Sequence, residues 1–169
     1  MRLFSGKDEN EEVVERLLLE NYNSYYRLAY SYVHNEADAA DLVQNGAYKA
    51  ILNSDTLKKT EFAGTWLYRI MLNEIFAFLR KRPEASLEEV PAEQGAEDVY
   101  EDVDLKRALD AMSEEDKAVI ELKYFEEKTL NEIAEILGEN LSTVKSRLYR
   151  GLKKLRLELS EDVQRECGR

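Results

Sequence analysis

The segment from Thr129 to Leu159 constrains the fold most, because it predicts two helices joined by a tight turn. Thr129 and Glu132 have the spacing of a capping box, in which a hydroxyl and a carboxylate satisfy free amides at a helix start. Gly138 suits a short interhelical turn, since glycine takes a positive φ at little steric cost. Asn140 is a good N-cap for the next helix. The pattern predicts a helix-turn-helix, whose second helix reads the major groove of DNA.

The second helix of this motif has two contrasting sides. At about 100° per residue, one side collects its small and aliphatic residues: Val144, Leu148, Gly151, Leu152, Leu155 and Leu159. The other side and its flanks collect polar and cationic residues: Lys145, Ser146, Arg147, Tyr149, Arg150, Lys153 and Lys154. Positions 145 to 156 hold six cations and no acid. The alternatives are a solvated basic face and a DNA-reading face, and the turn, caps and charge together favour DNA reading. Because Arg150 lies opposite the aliphatic side, we expect its removal to leave the core undisturbed.

The composition excludes several other classes of protein. One Cys and one His leave no disulfide framework and no Cys/His metal cluster. Glycine-rich phosphate loops and nucleophile elbows are also absent from the sequence. We expect no catalytic residues, no metal, no cofactor and no small-molecule substrate. No apolar run approaches the roughly 20 residues that span a bilayer, and the first residues contain no apolar signal segment. These features predict a cytoplasmic protein.

The net charge of −11 is unusual for a DNA-binding protein, but it is concentrated in one segment. Residues 83–104 carry nine acids, no cation and two prolines, which is typical of an extended linker. Residues 1–82 and 105–169 each have a net charge of −1. In the latter, Ser113 and Asp116 have N-cap spacing before an apolar helix. We predict an all-α protein with an N-terminal helical bundle over 1–82, a flexible acidic linker over 83–104 and a C-terminal helix-turn-helix domain over 105–169.

Helical periodicity also predicts the elements of the first domain. An amphipathic helix covers residues 8–20, a tyrosine-rich helix follows, and residues 53–60 form a polar loop before a long helix from Phe62 to Arg82. Five tyrosines are crowded into eleven residues: Tyr22, Tyr25, Tyr26, Tyr30 and Tyr32. We assign most of them to the core and to helix packing rather than to base stacking.

The third helix carries a cap, a polar row and a glycine. Asn35 is expected to cap its start. Asp38, Asp41 and Gln44 follow at i, i+3 and i+6 on its outer face, and from the residues alone such a row is a solvated face. Gly46 should cost about 1 kcal/mol relative to Ala.

Four segments occur along the chain in a distinctive order. They are YRLAYSYV with ADAADLVQ, then WLYRIMLNEIFAFLRK, then the acidic linker, then the block from Ile120 through EIAEILG and TVKSRLYRGLKKLR. In this order they resemble the extracytoplasmic-function (ECF) sigma factors, the compact two-domain members of the bacterial RNA polymerase sigma family. The resemblance implies an alternative sigma factor, not an enzyme. Such a subunit binds core RNA polymerase and directs promoter-specific initiation by reading the −35 element in the major groove and opening the −10 element.

The resemblance also implies roles for individual residues. The residues that match the family's clamp-facing helix are Asp38, Asp41 and Gln44. Those that match its positions for recognition of the −10 element are Trp66, Arg69, Asn73 and Arg80. Those that match its base-reading positions for the −35 element are Lys145, Ser146, Tyr149 and Arg150, and Lys153 and Lys154 fit phosphate contacts further along the helix.

Three features depart from the family pattern. Ala77 stands where many members carry Asp, and Asn45-Gly46 replaces an acid followed by a hydroxyl residue. The 53–60 loop lacks the usual Arg/Phe-Arg-Gly sequence. The family's base specificity at the −10 element is therefore not carried over to this chain, whereas polymerase docking and −35 reading are.

The implied partners are core RNA polymerase, through its clamp helices and flap, promoter DNA, and a membrane-anchored anti-sigma factor that would hold the protein at the membrane. The alternative hypothesis is a free-standing helix-turn-helix regulator. Such a regulator normally dimerises to span half-sites about 34 Å apart, yet no segment here is typical of a dimerisation coiled coil. An enzyme acting through Asp/Glu pairs is a third hypothesis, which no motif supports.

Overall fold

The structure, a computed structural model, describes residues 5–82 and 99–167, with side chains described for 9–82 and 104–157. Within these ranges every regular element is a helix, so the all-α prediction is confirmed. No helix in the described part of the chain combines the length and apolar character needed to cross a bilayer.

Two compact units make up the chain, Met1–Val90 and Pro91–Arg169, which confirms the predicted pair of helical domains. Residues 83–98, most of the predicted acidic linker, lie outside the described residues. Helix formation begins at Val99, so the last positions of the predicted linker are helical.

The described part of the first unit contains four α-helices: α1 (Ser5–Glu20), α2 (Tyr22–Val33), α3 (Glu36–Leu52) and α4 (Ala63–Lys81). Helix α3 packs against both α2 and α4, and α1 contacts all three. The core is formed by fully buried side chains of α1, α2 and α4, together with Ala39 and Ala50 of α3: Val14, Tyr25, Leu28, Val33, Leu67, Met71, Leu72 and Ile75. The long helix predicted from Phe62 to Arg82 is confirmed as α4.

Helix α3 begins and packs through two residues that the sequence had singled out. The Asn35 side chain accepts the Asp38 N–H at 2.9 Å, so the predicted cap is confirmed. At Gly46, a Cβ would lie 2.5 Å from the sulfur of Met71. The glycine therefore has a packing reason, since it lets α3 approach α4 closely.

The tyrosines of α2 divide into two sets, so the assignment of most of them to packing is only partly right. Tyr25 and Tyr32 are buried. Tyr22 and Tyr30 are exposed by 43% and 36%, and they stack on either side of Tyr26 with ring centroids 6.2 Å apart. The i, i+4, i+8 spacing places these three rings along one outer face of the helix.

The loop predicted at 53–60 contains two short 3₁₀ turns, Ser54–Thr56 and Thr60–Phe62. Its backbone is fastened to α1, because the Asn10 side-chain amide donates to the carbonyls of Ser54 and Leu57, each at 3.0 Å. Ser54 and Leu57 are buried. The loop is therefore less polar and more fixed than its sequence indicates.

Among its described residues, the second unit contains another four α-helices: α5 (Val99–Asp110), α6 (Glu114–Ile120), α7 (Leu130–Leu137) and α8 (Leu141–Cys167). Helix α6 continues into a π-helical segment, Glu121–Phe125. The predicted cap of α6 is confirmed, because the Ser113 hydroxyl accepts the Asp116 N–H at 3.2 Å. Helix α8 packs against α5, α6 and α7 and is the centre of this unit.

Candidate nucleic-acid interface

The helix-turn-helix of α7 and α8 forms as predicted. The Thr129 hydroxyl accepts the Glu132 N–H at 3.2 Å, while the Glu132 carboxylate accepts the Thr129 N–H at 3.0 Å. Gly138 follows α7 with a φ of 66°, in the left-handed region that glycine tolerates best. Helix α8 then begins with the Val144 N–H donating to the Asn140 carbonyl at 3.0 Å. These bonds confirm the capping box and the turn.

The inner face of α8 fixes how the helix is presented. Val144 is fully buried, and Leu148 and Leu155 pack against a buried cluster of Leu109, Met112 and Ile120. At Gly151, an added Cβ would lie 3.0 Å from the side chain of Ile120. The missing side chain therefore lets α8 lie close to α6. The prediction that Leu152 belongs to this inner face is wrong, because its side chain is 37% exposed. The side chain of Leu159 is outside the described residues.

The outer face of α8 carries the predicted base-reading and phosphate-contacting positions. All of them are exposed: Lys145, Ser146, Tyr149, Arg150, Lys153 and Lys154. Tyr149 is 81% exposed, so its ring is accessible for contact with a partner. The Ser146 hydroxyl donates to the Ser142 carbonyl at 3.0 Å, which leaves its oxygen able to accept a further bond.

The contacts of Arg150 contradict the expectation that its removal leaves the core undisturbed. Its Nε donates to Oδ2 of Asp116 at 2.7 Å, and its terminal nitrogen NH2 donates to Oδ1 at 3.0 Å. Asp116 lies in the first turn of α6 and is only 4% exposed. The hydrogen bonds from Arg150 hold the pKa of the Asp116 carboxyl below its ordinary value, against the opposing effect of burial. Removing Arg150 would therefore take a partner from a buried charge.

Arg147 joins the same buried carboxylate to the turn before α8. Its NH1 donates to Oδ1 of Asp116 at 3.0 Å, and its Nε and NH2 donate to the two carboxylate oxygens of Glu139 at 2.8 and 2.9 Å. The Glu139 hydrogen bonds, opposed by burial, raise the pKa of the Arg147 guanidinium, so it remains charged at every ordinary pH. Because its side chain is only 20% exposed, Arg147 serves to fasten the turn, α6 and α8 together.

The cations of α8 are thus not equivalent. Arg147 and Arg150 are paired with carboxylates, and the Nζ of Lys154 donates to the carbonyl of Ala111 at 3.1 Å. Lys145 and Lys153 are exposed and make no hydrogen bond or ion pair with other described residues. The sequence run of six cations therefore overstates the charge that is available to an external phosphate.

The predicted −10 residues lie on α4 in the first unit. Trp66, Asn73 and Arg80 are seven residues apart, so about 100° per residue places them along one line. Trp66 and Asn73 line an open cavity of about 350 Å³ together with Lys49, Asn53, Thr56, Ile70 and Glu74. Lys49 and Glu74 form an ion pair at this cavity. Arg69 and Arg80 are exposed but do not line it, so the structure brings together two of the four predicted residues.

The polar row on α3 is also accessible. Asp41 and Gln44 are exposed, and Asp38 is half-buried in the first turn of the helix. A carboxylate in the first turn is favourable because it faces the positive end of the helix dipole. The row is available for contact with another protein without loss of core packing.

Two family models match this chain in the order of its two units. The model described as Sigma-70 region 2 matches residues 17–83, and that described as Sigma-70, region 4 matches residues 102–155. The RNA polymerase sigma factor SigV of Bacillus subtilis is 38% identical over 160 residues, which cover 92% of this chain and 96% of SigV. The ECF RNA polymerase sigma factor SigW of the same organism is 31% identical over 155 residues, covering 80% of this chain and 83% of SigW. The chain belongs to the ECF sigma factors.

Solved structures agree with this assignment. The sigma factor RpoE of Bartonella quintana, solved in complex with the anti-sigma factor NepR, superposes with a TM-score of 0.70 at 26% identity, over 86% of this chain and 96% of that one. CnrH, solved in complex with the cytosolic domain of CnrY, shares the fold with a TM-score of 0.72 at 24% identity, over 94% of each chain.

The protein is therefore an alternative sigma factor that directs transcription initiation. The match extends through both units, which favours this function over a free-standing helix-turn-helix regulator. Sequence reasoning found the helix-turn-helix and the family but missed Asp116, Glu139 and Asn10 as site-supporting residues. Only the N-cap spacing drew attention to Asp116, and no local signal showed that its carboxylate meets α8.

Proposed function

We propose that this sigma factor reads the −35 element of its promoters through the outer face of α8. The main observation that supports this proposal is the exposed row of Lys145, Ser146, Tyr149 and Arg150 on a helix whose opposite face is buried. An α-helix of this kind fits the major groove, and each of these side chain types can bond or contact a base edge. Lys153 and Lys154 lie further along and contact the phosphate backbone, which positions the helix without reading sequence.

A promoter library with mutations in the −35 element tests this proposal by transcription with core RNA polymerase. Arg150→Ala should relax the preference for particular −35 sequences. Lys154→Ala and Lys153→Ala should lower output on all promoters alike, because a phosphate contact is the same in every sequence. Lys153 is the cleaner probe, since Lys154 also bonds a backbone carbonyl. Equal loss on every promoter for Arg150→Ala would show that Arg150 only positions the helix.

We further propose that the first domain, over residues 1–82, docks on the clamp helices of core RNA polymerase and opens the −10 element. The second domain, over residues 105–169, also contacts the polymerase flap, and the linker over 83–104 joins the two domains. The row of Asp38, Asp41 and Gln44 is the docking surface, supported by its accessibility on α3. The −10 residues are Trp66, Arg69, Asn73 and Arg80, and the cavity beside Trp66 and Asn73 has the aromatic and amide groups that an unpaired base requires.

The docking surface is tested by replacing Asp41 and Gln44 together by Ala. Both side chains are exposed, so helical content should stay unchanged while binding to core polymerase weakens. A variant with Asp55→Ala, an exposed acid of the 53–60 loop, is a matched control for the loss of surface charge. Capture of core polymerase by the double variant at the level of this control would contradict the assignment of the row.

We also propose that the protein is cytoplasmic, acts without catalysing a reaction, and is restrained by a membrane-anchored anti-sigma factor. The support for such a partner is the relative RpoE, which was solved in complex with the anti-sigma factor NepR. Co-purification from the native host under non-inducing conditions should recover the anti-sigma factor with the protein. Recovery of polymerase subunits alone would count against this partner.

A further inference from the structure

We propose that Asp116 is a positioning residue for base reading: it holds one edge of the Arg150 guanidinium so that the other edge meets a guanine in the −35 major groove. This role rests on the proposed −35 reading by α8 and deepens it, because it names the supporting residue and the base. It concerns a contact between two helices that are far apart in sequence, α6 and α8.

The geometry of Arg150 leaves one side of its guanidinium available. The group has five N–H donors in a rigid, planar fork. Asp116 takes the side edge, with Nε and NH2 as donors at 2.7 and 3.0 Å. NH1 makes no hydrogen bond with the described residues, and NH2 retains a second N–H. The two terminal nitrogens therefore form a free end edge with two parallel donors, on a side chain that is 57% exposed.

Guanine is the base that matches this free edge. In the major groove it offers two adjacent acceptors, O6 and N7, and a bidentate bond from arginine to these atoms is the commonest specific contact. Adenine offers N7 as an acceptor but N6 as a donor, so one arginine N–H would face another donor. Thymine and cytosine offer no pair of neighbouring acceptors there.

Asp116 is suited to hold the arginine because it is itself fixed. Its backbone N–H donates to the Ser113 hydroxyl, and its carboxylate also accepts NH1 of Arg147. An arginine held in place before DNA arrives loses less rotamer freedom on binding, so more of the contact appears as affinity for the right base. The partial neutralisation of Arg150 by Asp116 also lowers its attraction for phosphates, which carry no sequence information.

This positioning role predicts two opposite effects of one substitution. Asp116→Asn keeps a single acceptor oxygen and removes the negative charge, so Arg150 becomes mobile and more available to phosphates. Base preference should fall while affinity for unrelated DNA stays the same or rises. A purely structural role would instead lower both through loss of folded protein.

The test is transcription by core polymerase with the full chain, using one pool of promoters randomised across the −35 element. We expect the wild-type protein to prefer guanine at one position and Arg150→Ala to lose that preference. Asp116→Asn should reduce the preference at the same position by about fivefold or more, which is the lower end of what a bidentate base contact contributes. The double variant should be no less selective than Arg150→Ala alone. Preference is a ratio within one reaction, so partial unfolding of a variant cancels.

Glu132→Gln is the matched control, because it also removes one carboxylate from the second unit, whereas glutamine still serves the capping box of α7. Its base preference should equal that of wild type. The positioning role is overturned if Asp116→Asn lowers output equally on all promoters, or relaxes a position that Arg150→Ala leaves intact. It is also overturned if Arg150→Ala changes no −35 preference while the variant still selects promoters. If the wild-type protein itself shows no −35 preference, the proposed reading of the −35 element by α8 is refuted instead.

Discussion

Arg147→Ala should destabilise the second unit even in the absence of DNA, although Arg147 lies in the cationic run of α8. The side chain makes three charge-assisted hydrogen bonds, one to Asp116 and two to Glu139. Breaking a fully buried ion pair costs about 3–5 kcal/mol, and an exposed pair contributes about 0–1 kcal/mol. The Arg147, Asp116 and Glu139 side chains are 20%, 5% and 22% exposed. The energetic contribution of the Arg147 ion pairs therefore lies between these limits.

We expect a loss of about 2 kcal/mol in the free energy of unfolding, since Asp116 keeps Arg150 as a partner. For a unit of this size, that corresponds to a fall of about 8–16 °C in Tm. Helical circular dichroism of the full chain reports the transition. The protein has one tryptophan, Trp66, in the first unit, so tryptophan fluorescence gives an internal control whose transition should not move.

Lys145→Ala is the matched surface control, because Lys145 lies on the same helix, is exposed and makes no ion pair with the described residues. Its effect on stability should stay within about 0.5 kcal/mol. If Arg147→Ala and Lys145→Ala unfold alike, the Arg147 contacts do not stabilise the unit and the reasoning is refuted.

Two further results are expected from the packing and the ionisation of described residues. Gly46→Ala should destabilise the first unit by about 1–2 kcal/mol, because overpacking against the Met71 sulfur at 2.5 Å outweighs the helix propensity gained. Gly64→Ala, where a Cβ meets nothing within 4 Å, should stabilise the first unit by up to about 1 kcal/mol. Denaturant unfolding followed by tryptophan fluorescence compares the two variants, and equal changes in their unfolding free energy would contradict the account. The folded pKa of Asp116 lies below its ordinary value of 3.8, so its stabilising contribution is present above that value and is lost as the pH falls through the folded pKa. Between about pH 5 and the acid transition, wild type should therefore lose more unfolding free energy than Asp116→Asn, and parallel pH profiles would exclude this linkage.

The local features of the fold were readable from the sequence because they depend on short spacings. The capping box at Thr129 and Glu132, the left-handed Gly138 and the Asn35 cap all act within a few residues. The predicted inner face of α8 was nearly correct for the same reason. The prediction that Leu152 is buried was wrong because this residue lies at the edge of the apolar stripe, where helical projection alone does not decide burial.

Features that depend on distant parts of the chain could not be predicted. Asp116 and Arg150 are 34 positions apart, and their pairing exists only because α6 packs against α8. The close approach behind Gly46 likewise depends on Met71 of another helix. The sequence therefore identified which residues of α8 face outward but not which of their charges are already engaged within the domain.

The central claim is that this chain is a sigma factor that selects promoters through the outer face of α8. In vitro transcription with core RNA polymerase, followed by mapping of start sites, tests it most directly. The account predicts discrete start sites on a limited set of promoters only when the protein is added, with a shared −35 sequence that Arg150→Ala relaxes. A sequence-specific complex of a protein dimer with DNA in the absence of polymerase, together with no transcripts above those of core polymerase alone, would contradict it.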